Sequence, residues 1–167
     1  TKSFYITNSI FLIAALLFLF FFMDAALKIR LLTVALLVTP TMLGYLKWPS
    51  PESFTSSLMI IAFVLFNNKR YSLSAFFLAL ASLQNQPVAF ASFIVYATGF
   101  IINNKSLFTL KFKENVKYPK KVMMSVISGI PSAIIILIPS LFYYSNFGTP
   151  YLIATTGYAD PEYVSIS

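Results

Sequence analysis

Polar and apolar positions fall into long uncharged runs separated by short polar or basic clusters. The runs occupy 3–23, 31–46, 53–68, 71–83, 87–102 and 122–144. None shows the strict alternation of a half-buried strand, so each is read as a helix. The first has 21 residues and is rich in Phe and Leu. At about 1.5 Å per residue it reaches roughly 30 Å, the thickness of a bilayer's hydrocarbon core. Pro40 lies within the second run, where it kinks the helix or unwinds its outer turn, and Pro131 and Pro139 lie within the last. Positions 71–104 carry no charge. They are too long for one comfortable crossing, and Gln84-Asn85-Gln86-Pro87 divides them. The first half, 71–83, is short, about 20 Å as a helix. Two readings stay open for it: extension by the amide turn, or an end within the membrane. The expected fold is therefore an all-α polytopic transmembrane helix bundle of about six spans. Residues 145–167 form a polar tail. All of 1–167 reads as part of one transmembrane domain, and the start at Thr1 suggests a piece of a longer chain.

Charge gives the bundle two unlike ends. Alternate connections hold Lys28, Arg30, Lys69, Arg70, Lys105, Lys111, Lys113, Lys117, Lys120 and Lys121, ten of the twelve basic residues. The other connections keep Lys2 and Lys47, together with Glu52, Asp160 and Glu162. The positive-inside rule assigns the ten to the cytoplasm and both ends of the chain to the extracytoplasmic side. The net charge of +7 is thus mainly a topology signal. Nucleic acid is not an expected partner, because the cations flank apolar runs. Segment 105–121 is a cytoplasmic loop or, alternatively, a short amphipathic piece on the anionic inner leaflet. Asp24 and Lys28 have the spacing of an ordinary helix-surface pair.

Composition then removes whole classes of function. Charged residues make up 10% of the chain and hydrophobic residues 58%. That is less than half the charge of an ordinary soluble domain. With no Cys and no His, this stretch has no thiol, disulfide or imidazole chemistry. No phosphate-cradling glycine loop is present, and no internal repeat is apparent. Ser74, Ser82, Ser92 and Ser125 read as helix-packing residues.

Polar groups near a membrane span have work or partners, because desolvating them is costly. Three clusters therefore attract notice, all toward the lysine-poor side. In Lys47-Trp48-Pro49-Ser50-Pro51-Glu52-Ser53, Ser50 suits a helix N-cap and Glu52 the first turn, where the helix dipole favours a carboxylate. Glu52 is alternatively a ligand for sugar hydroxyls or a metal. Gln84, Asn85 and Gln86 offer six N–H donors and three carbonyl acceptors, a set suited to sugar or lipid phosphate, or simply to a polar turn. The tail combines Asn146, Thr155, Thr156, Tyr158, Asp160, Glu162 and Tyr163. Aromatic and polar groups of this kind form sugar-binding surfaces and also ordinary membrane interfaces. Asp160 and Glu162, two apart, face the same way in an extended segment and could share a divalent cation.

Trp48-Pro49-Ser50-Pro51-Glu52-Ser53, the basic turn Asn67-Asn68-Lys69-Arg70 and the helix closed by Gln86-Pro87 together resemble the middle of GT-C superfamily membrane glycosyltransferases. Asn146-Phe147-Gly148-Thr149-Pro150 and Thr156-Gly157-Tyr158 are similar to a stretch of bacterial members. The resemblance covers about a third of the chain. It implies an enzyme of the bacterial inner membrane that moves a sugar from a lipid-phosphate donor to a glycan or lipid acceptor on the extracytoplasmic face. It places the key acidic residue in an outer loop upstream of Thr1. It leaves Glu52, Gln84, Asn85, Gln86, Tyr158 and Asp160 as substrate-binding candidates, with a divalent cation as a candidate cofactor. Gln86 stands where members often have Arg. The rival expectations are a polytopic transporter or lipid flippase, and a non-catalytic membrane subunit.

Overall fold

The computed structural model describes residues 2–38, 52–105 and 118–147. The described residues form six α-helices and no strand. They are α1 (Lys2–Phe22), α2 (Leu27–Leu37), α3 (Glu52–Asn67), α4 (Tyr71–Ser82), α5 (Val88–Asn103) and α6 (Tyr118–Phe147). Two contain stretches long and apolar enough to cross a membrane, Tyr5–Phe22 and Val122–Asn146. Helices α3, α4 and α5 are apolar but shorter, at 16, 12 and 16 residues. The second helix starts at Leu27, four residues ahead of the uncharged run, and α6 starts at Tyr118. Lys28, Arg30, Lys120 and Lys121 are thus helical, because lysine and arginine are good helix formers that the absence of charge alone overlooks. Residues 39–46, the outer half of the second expected span, lie outside the described residues.

Helix α4 occupies the middle and packs against α3, α5 and α6, while α1 packs against α3 and α2. One apolar cluster joins Leu12, Ala15, Leu19 and Met23 of α1 and its end to Ile60 and Val64 of α3. A second joins Leu58 and Ala62 of α3, Leu78 and Ala81 of α4, and Val88 of α5. The distribution of polarity is inverted relative to a water-soluble bundle. Ser53, Thr55, Ser57, Ser74, Ser82 and Ser92 are buried, whereas Phe21, Phe90, Phe93, Leu36 and Leu141 are at least 60% exposed. Small hydroxyl residues let helix axes approach closely and tie them together. Ser74 Oγ donates to Ala62 O at 2.7 Å, joining α4 to α3. Ser92 Oγ donates to Ala75 O at 2.6 Å, joining α5 to α4. Gly99 lies against Tyr71, and Gly129 against the ring of Tyr96.

The basic turns gather at one end. Asn68 Nδ2 donates to Phe22 O at 2.6 Å, and Asp24 N donates to Asn68 Oδ1 at 3.0 Å. Asn67 Nδ2 donates to Asp24 O at 3.1 Å. These bonds lock the C-terminus of α1 to that of α3. Asp24 therefore sits in the turn between α1 and α2, so the expected one-helix pair with Lys28 does not form. Arg30 caps α1 from the next helix, with Nε on Ala25 O at 2.7 Å and Nη1 on Phe20 O at 3.2 Å. A cation there meets the negative end of the α1 dipole. Helix α3 closes in a Schellman turn: Arg70 N donates to Leu65 O and Lys69 N to Phe66 O. Lys69 holds the left-handed position, φ 59°, which glycine usually takes. At the same end Asn104 Nδ2 reaches Ser125 Oγ at 3.3 Å, joining α5 to α6. Nearby, Ser72 and Ser128 hydroxyls stand 2.9 Å apart, joining α4 to α6.

Candidate binding site at the lysine-poor end

Chain direction brings the start of α3 and the turn between α4 and α5 to the end opposite these basic turns. The turn is self-contained. Leu83, Gln84 and Asn85 N–H groups bond back to Leu80 O or Ala81 O, and Asn85 and Gln86 carbonyls accept from Val88 and Ala89. Much of the backbone is thereby satisfied within the turn itself. No described residue hydrogen-bonds the side-chain amides of Gln84, Asn85 or Gln86, which leaves them for another partner. Gln84 and Asn85 are exposed, and Gln86 is half-buried.

Gln84 and Gln86 share a cavity of about 340 Å³ with Ile138, Pro139, Phe142 and Tyr143 of α6. One side offers amides and the other two aromatic rings, Phe142 and Tyr143, set edge to face at 5.7 Å. Pro139 lies on the inward stripe of α6 with Gly129 and Ser132, and it lacks an N–H, so a carbonyl one turn earlier has no helical donor.

Helix lengths give this end its shape. From the basic turns, α3 rises about 24 Å and α4 about 18 Å, whereas α1 rises about 31 Å. The 19 residues of α6 beyond Ser128, which sits level with Ser72, rise about 28 Å. By length alone, α4 ends about 10 Å short of α1 and α6 and α3 about 4–7 Å short, so the amide turn and the first turn of α3 make a floor between two longer helices.

Glu52 is exposed in the first turn of α3, on that floor, and is not among the residues lining the α6 cavity. Asn146 donates to Phe142 O at 2.8 Å and finishes α6. Tyr158 and Asp160, the Asp160 and Glu162 pair, and Trp48 to Pro51 lie outside the described residues. Among the described residues there is no group of three or more acidic side chains placed to hold a metal. The structure thus brings Gln84 and Gln86 together with α6 and leaves Glu52 apart from their cavity.

Sequence reasoning missed the α6 wall of this cavity, since Pro139, Phe142 and Tyr143 read as ordinary span residues. It also missed a groove of about 410 Å³ near the basic end. That groove lies between α1, α2 and α3 and is lined by Leu19, Thr33, Leu37, Ser56, Met59 and Phe63. No protein-family model matches the chain, and comparison with curated proteins and with solved structures gives no match.

Proposed function

We propose that the chain is the membrane-embedded part of a polytopic protein, and that its recessed lysine-poor end binds the head of a lipid-linked sugar in a GT-C type glycosyl transfer. The observation that carries the membrane reading is the inverted polarity. Of the apolar 122–146 stretch of α6, only 6% is buried. In water that exposed Ile, Leu and Phe surface would drive association. In a bilayer it is the ordinary lipid face. The shorter helices carry the same face, in Phe63 of α3, Leu73 of α4 and Phe90 and Phe93 of α5. All six helices then belong to the membrane. The basic end lies in the cytoplasm, and the amide floor opens to the extracytoplasmic side of a bacterial-type inner membrane.

The sugar reading rests on the chemistry of the cavity and on the resemblance. Amide groups satisfy hydroxyls as both donor and acceptor, and the Phe142 and Tyr143 rings offer surface to C–H faces. The proposed transfer needs a carboxylate as general base, a role assigned to none of the residues described above. Glu52 takes a contact or structural role.

The test uses the full-length protein in nanodiscs with a polyprenyl-phosphate sugar. Replacing both Gln84 and Gln86 by Ala removes two or more hydrogen bonds, worth about 1 kcal/mol each. Donor affinity should fall about 10- to 30-fold. Unchanged affinity and unchanged transfer would remove the cavity from the site. Lipid scrambling without sugar transfer would favour the flippase reading.

A further inference from the structure

The groove between α1, α2 and α3 lies at the opposite end from the proposed sugar site. Its floor is apolar, with Leu19 of α1 wholly buried beneath it. Met59 and Phe63 of α3 are 44% and 50% exposed, so the groove is open along the α3 side. From the basic turn at Asn67 to Ser56, its far end, is about 16 Å along α3. That matches one leaflet's half of the hydrocarbon core, about 15 Å. A membrane crossing would leave this slot facing acyl chains.

Cations stand beyond its near end, although none is among the residues that line it. Arg30 stands one turn before Thr33, on the same half-buried stripe of α2 that carries Thr33 and Leu37 into the groove. Lys28 lies on the opposite face of α2, about 140° round from Thr33, whereas Lys69 and Arg70 follow the C-terminus of α3 at the same end. Asp24 is the one described carboxylate in these turns, set against Arg30, Lys69 and Arg70. Arg30 uses Nε on Ala25 O of the α1–α2 turn and Nη1 on Phe20 O of α1, which holds the guanidinium in place and leaves Nη2 for a further acceptor. An occupant with one anionic phosphate and an apolar chain of leaflet length meets both halves of this arrangement.

We infer that this groove is a specific site for an anionic phospholipid of the cytoplasmic leaflet, with one acyl chain between α2 and α3 and its phosphate at Arg30, Lys69 and Arg70. The inference rests on the membrane reading of the chain and is independent of the sugar reading. Such a lipid would fill the gap between the α1–α2 pair and α3, which share a locked turn at the basic end.

The test is native mass spectrometry of the full-length protein released from nanodiscs of dioleoyl phosphatidylglycerol and dioleoyl phosphatidylcholine in equal amounts. Wild type should retain one phosphatidylglycerol per chain, about tenfold in preference to phosphatidylcholine. Lys69→Gln with Arg70→Gln changes two exposed cations of the proposed phosphate site and no described side-chain hydrogen bond. It should lower that preference at least fivefold, given that each cation near an anionic surface contributes about 1 kcal/mol. Met59→Trp fills the slot and should lower retention of both lipids while leaving the headgroup preference among what remains. Equal retention of the two lipids, or full retention by Met59→Trp, overturns the inference, as does a second copy of the chain in place of lipid. Carbonate extraction separates the two levels. A chain released from membranes by carbonate overturns the membrane reading and this inference together. A chain that stays embedded without lipid preference overturns this inference alone.

Discussion

Small side chains set how closely these helices approach, and two glycines do so by different means. A methyl on Gly99 would meet Tyr71 at its Cβ, an atom fixed to the α4 backbone. A methyl on Gly129 would meet the outer edge of the Tyr96 ring. That ring can turn, at the expense of the 2.7 Å bond from Tyr96 Oη to Ser125 O. Overpacking against backbone-proximal atoms costs about 1–3 kcal/mol. Gly99→Ala should therefore destabilise the protein in detergent unfolding by about 2 kcal/mol, and Gly129→Ala by about half that. The reverse order would mean that α5 and α6 are held more rigidly than α4 and α5. The buried hydroxyls belong to the same scale. Ser74 and Ser92 read as packing residues from sequence alone, and each has a carbonyl of a neighbouring helix as its partner. Ser132 differs, since its hydroxyl is buried with no partner among the described residues.

Among the elements, the junction of α1 and α3 carries the most specific polar chemistry. Nothing in Asn67-Asn68-Lys69-Arg70 distinguishes a basic turn from a clamp on a helix more than forty residues earlier. The clamp exists because both helices end at the same level, each with unpaired carbonyls that an amide or a guanidinium can cap. Asn68→Ala removes two hydrogen bonds, to Phe22 O and from Asp24 N, whereas Asn67→Ala removes the one to Asp24 O. Losses of about 1–2 kcal/mol and about 1 kcal/mol are expected for the two variants, read by steric trapping or detergent unfolding. Equal effects below about 0.3 kcal/mol would mean that water replaces these bonds freely. Helix α6 illustrates the converse case. Pro131 and Pro139 were legible inside one span, and the helix continues through both. Their consequence is local, a free carbonyl and a wall for the amide cavity.

Across the whole molecule, the arrangement is two-ended, and its sides are accessible to direct chemistry. The chain has no native cysteine, so each introduced one is unique. Lys69→Cys should react with a membrane-impermeant maleimide from the cytoplasm only, and Gln84→Cys from the outside only. Asn146→Cys, at the top of α6, should react faster than Gln84→Cys on the recessed floor. Reaction of Lys69→Cys and Gln84→Cys from the same compartment would refute the alternating topology. Equal rates at Gln84 and Asn146 would refute the recess.

What the sequence determined alone follows from local chemistry. Uncharged runs with no strand alternation form helices because polar backbone groups in apolar surroundings must hydrogen-bond to one another. The turns at 67–70 and 84–87, the short helix between them and the sorting of lysines to one end were all legible for that reason. The amides Gln84 and Gln86 stood out because desolvated polar groups need partners. Tertiary structure alone decided which face of each helix turns inward. These helices are apolar on nearly every side, so no amphipathic stripe marks the core, and only pairing shows whether a serine, a glycine or a proline meets a neighbour. That is why Phe142 and Tyr143 joined the amides unannounced, and why Arg30, a topology charge in the sequence, became the cap of a neighbouring helix.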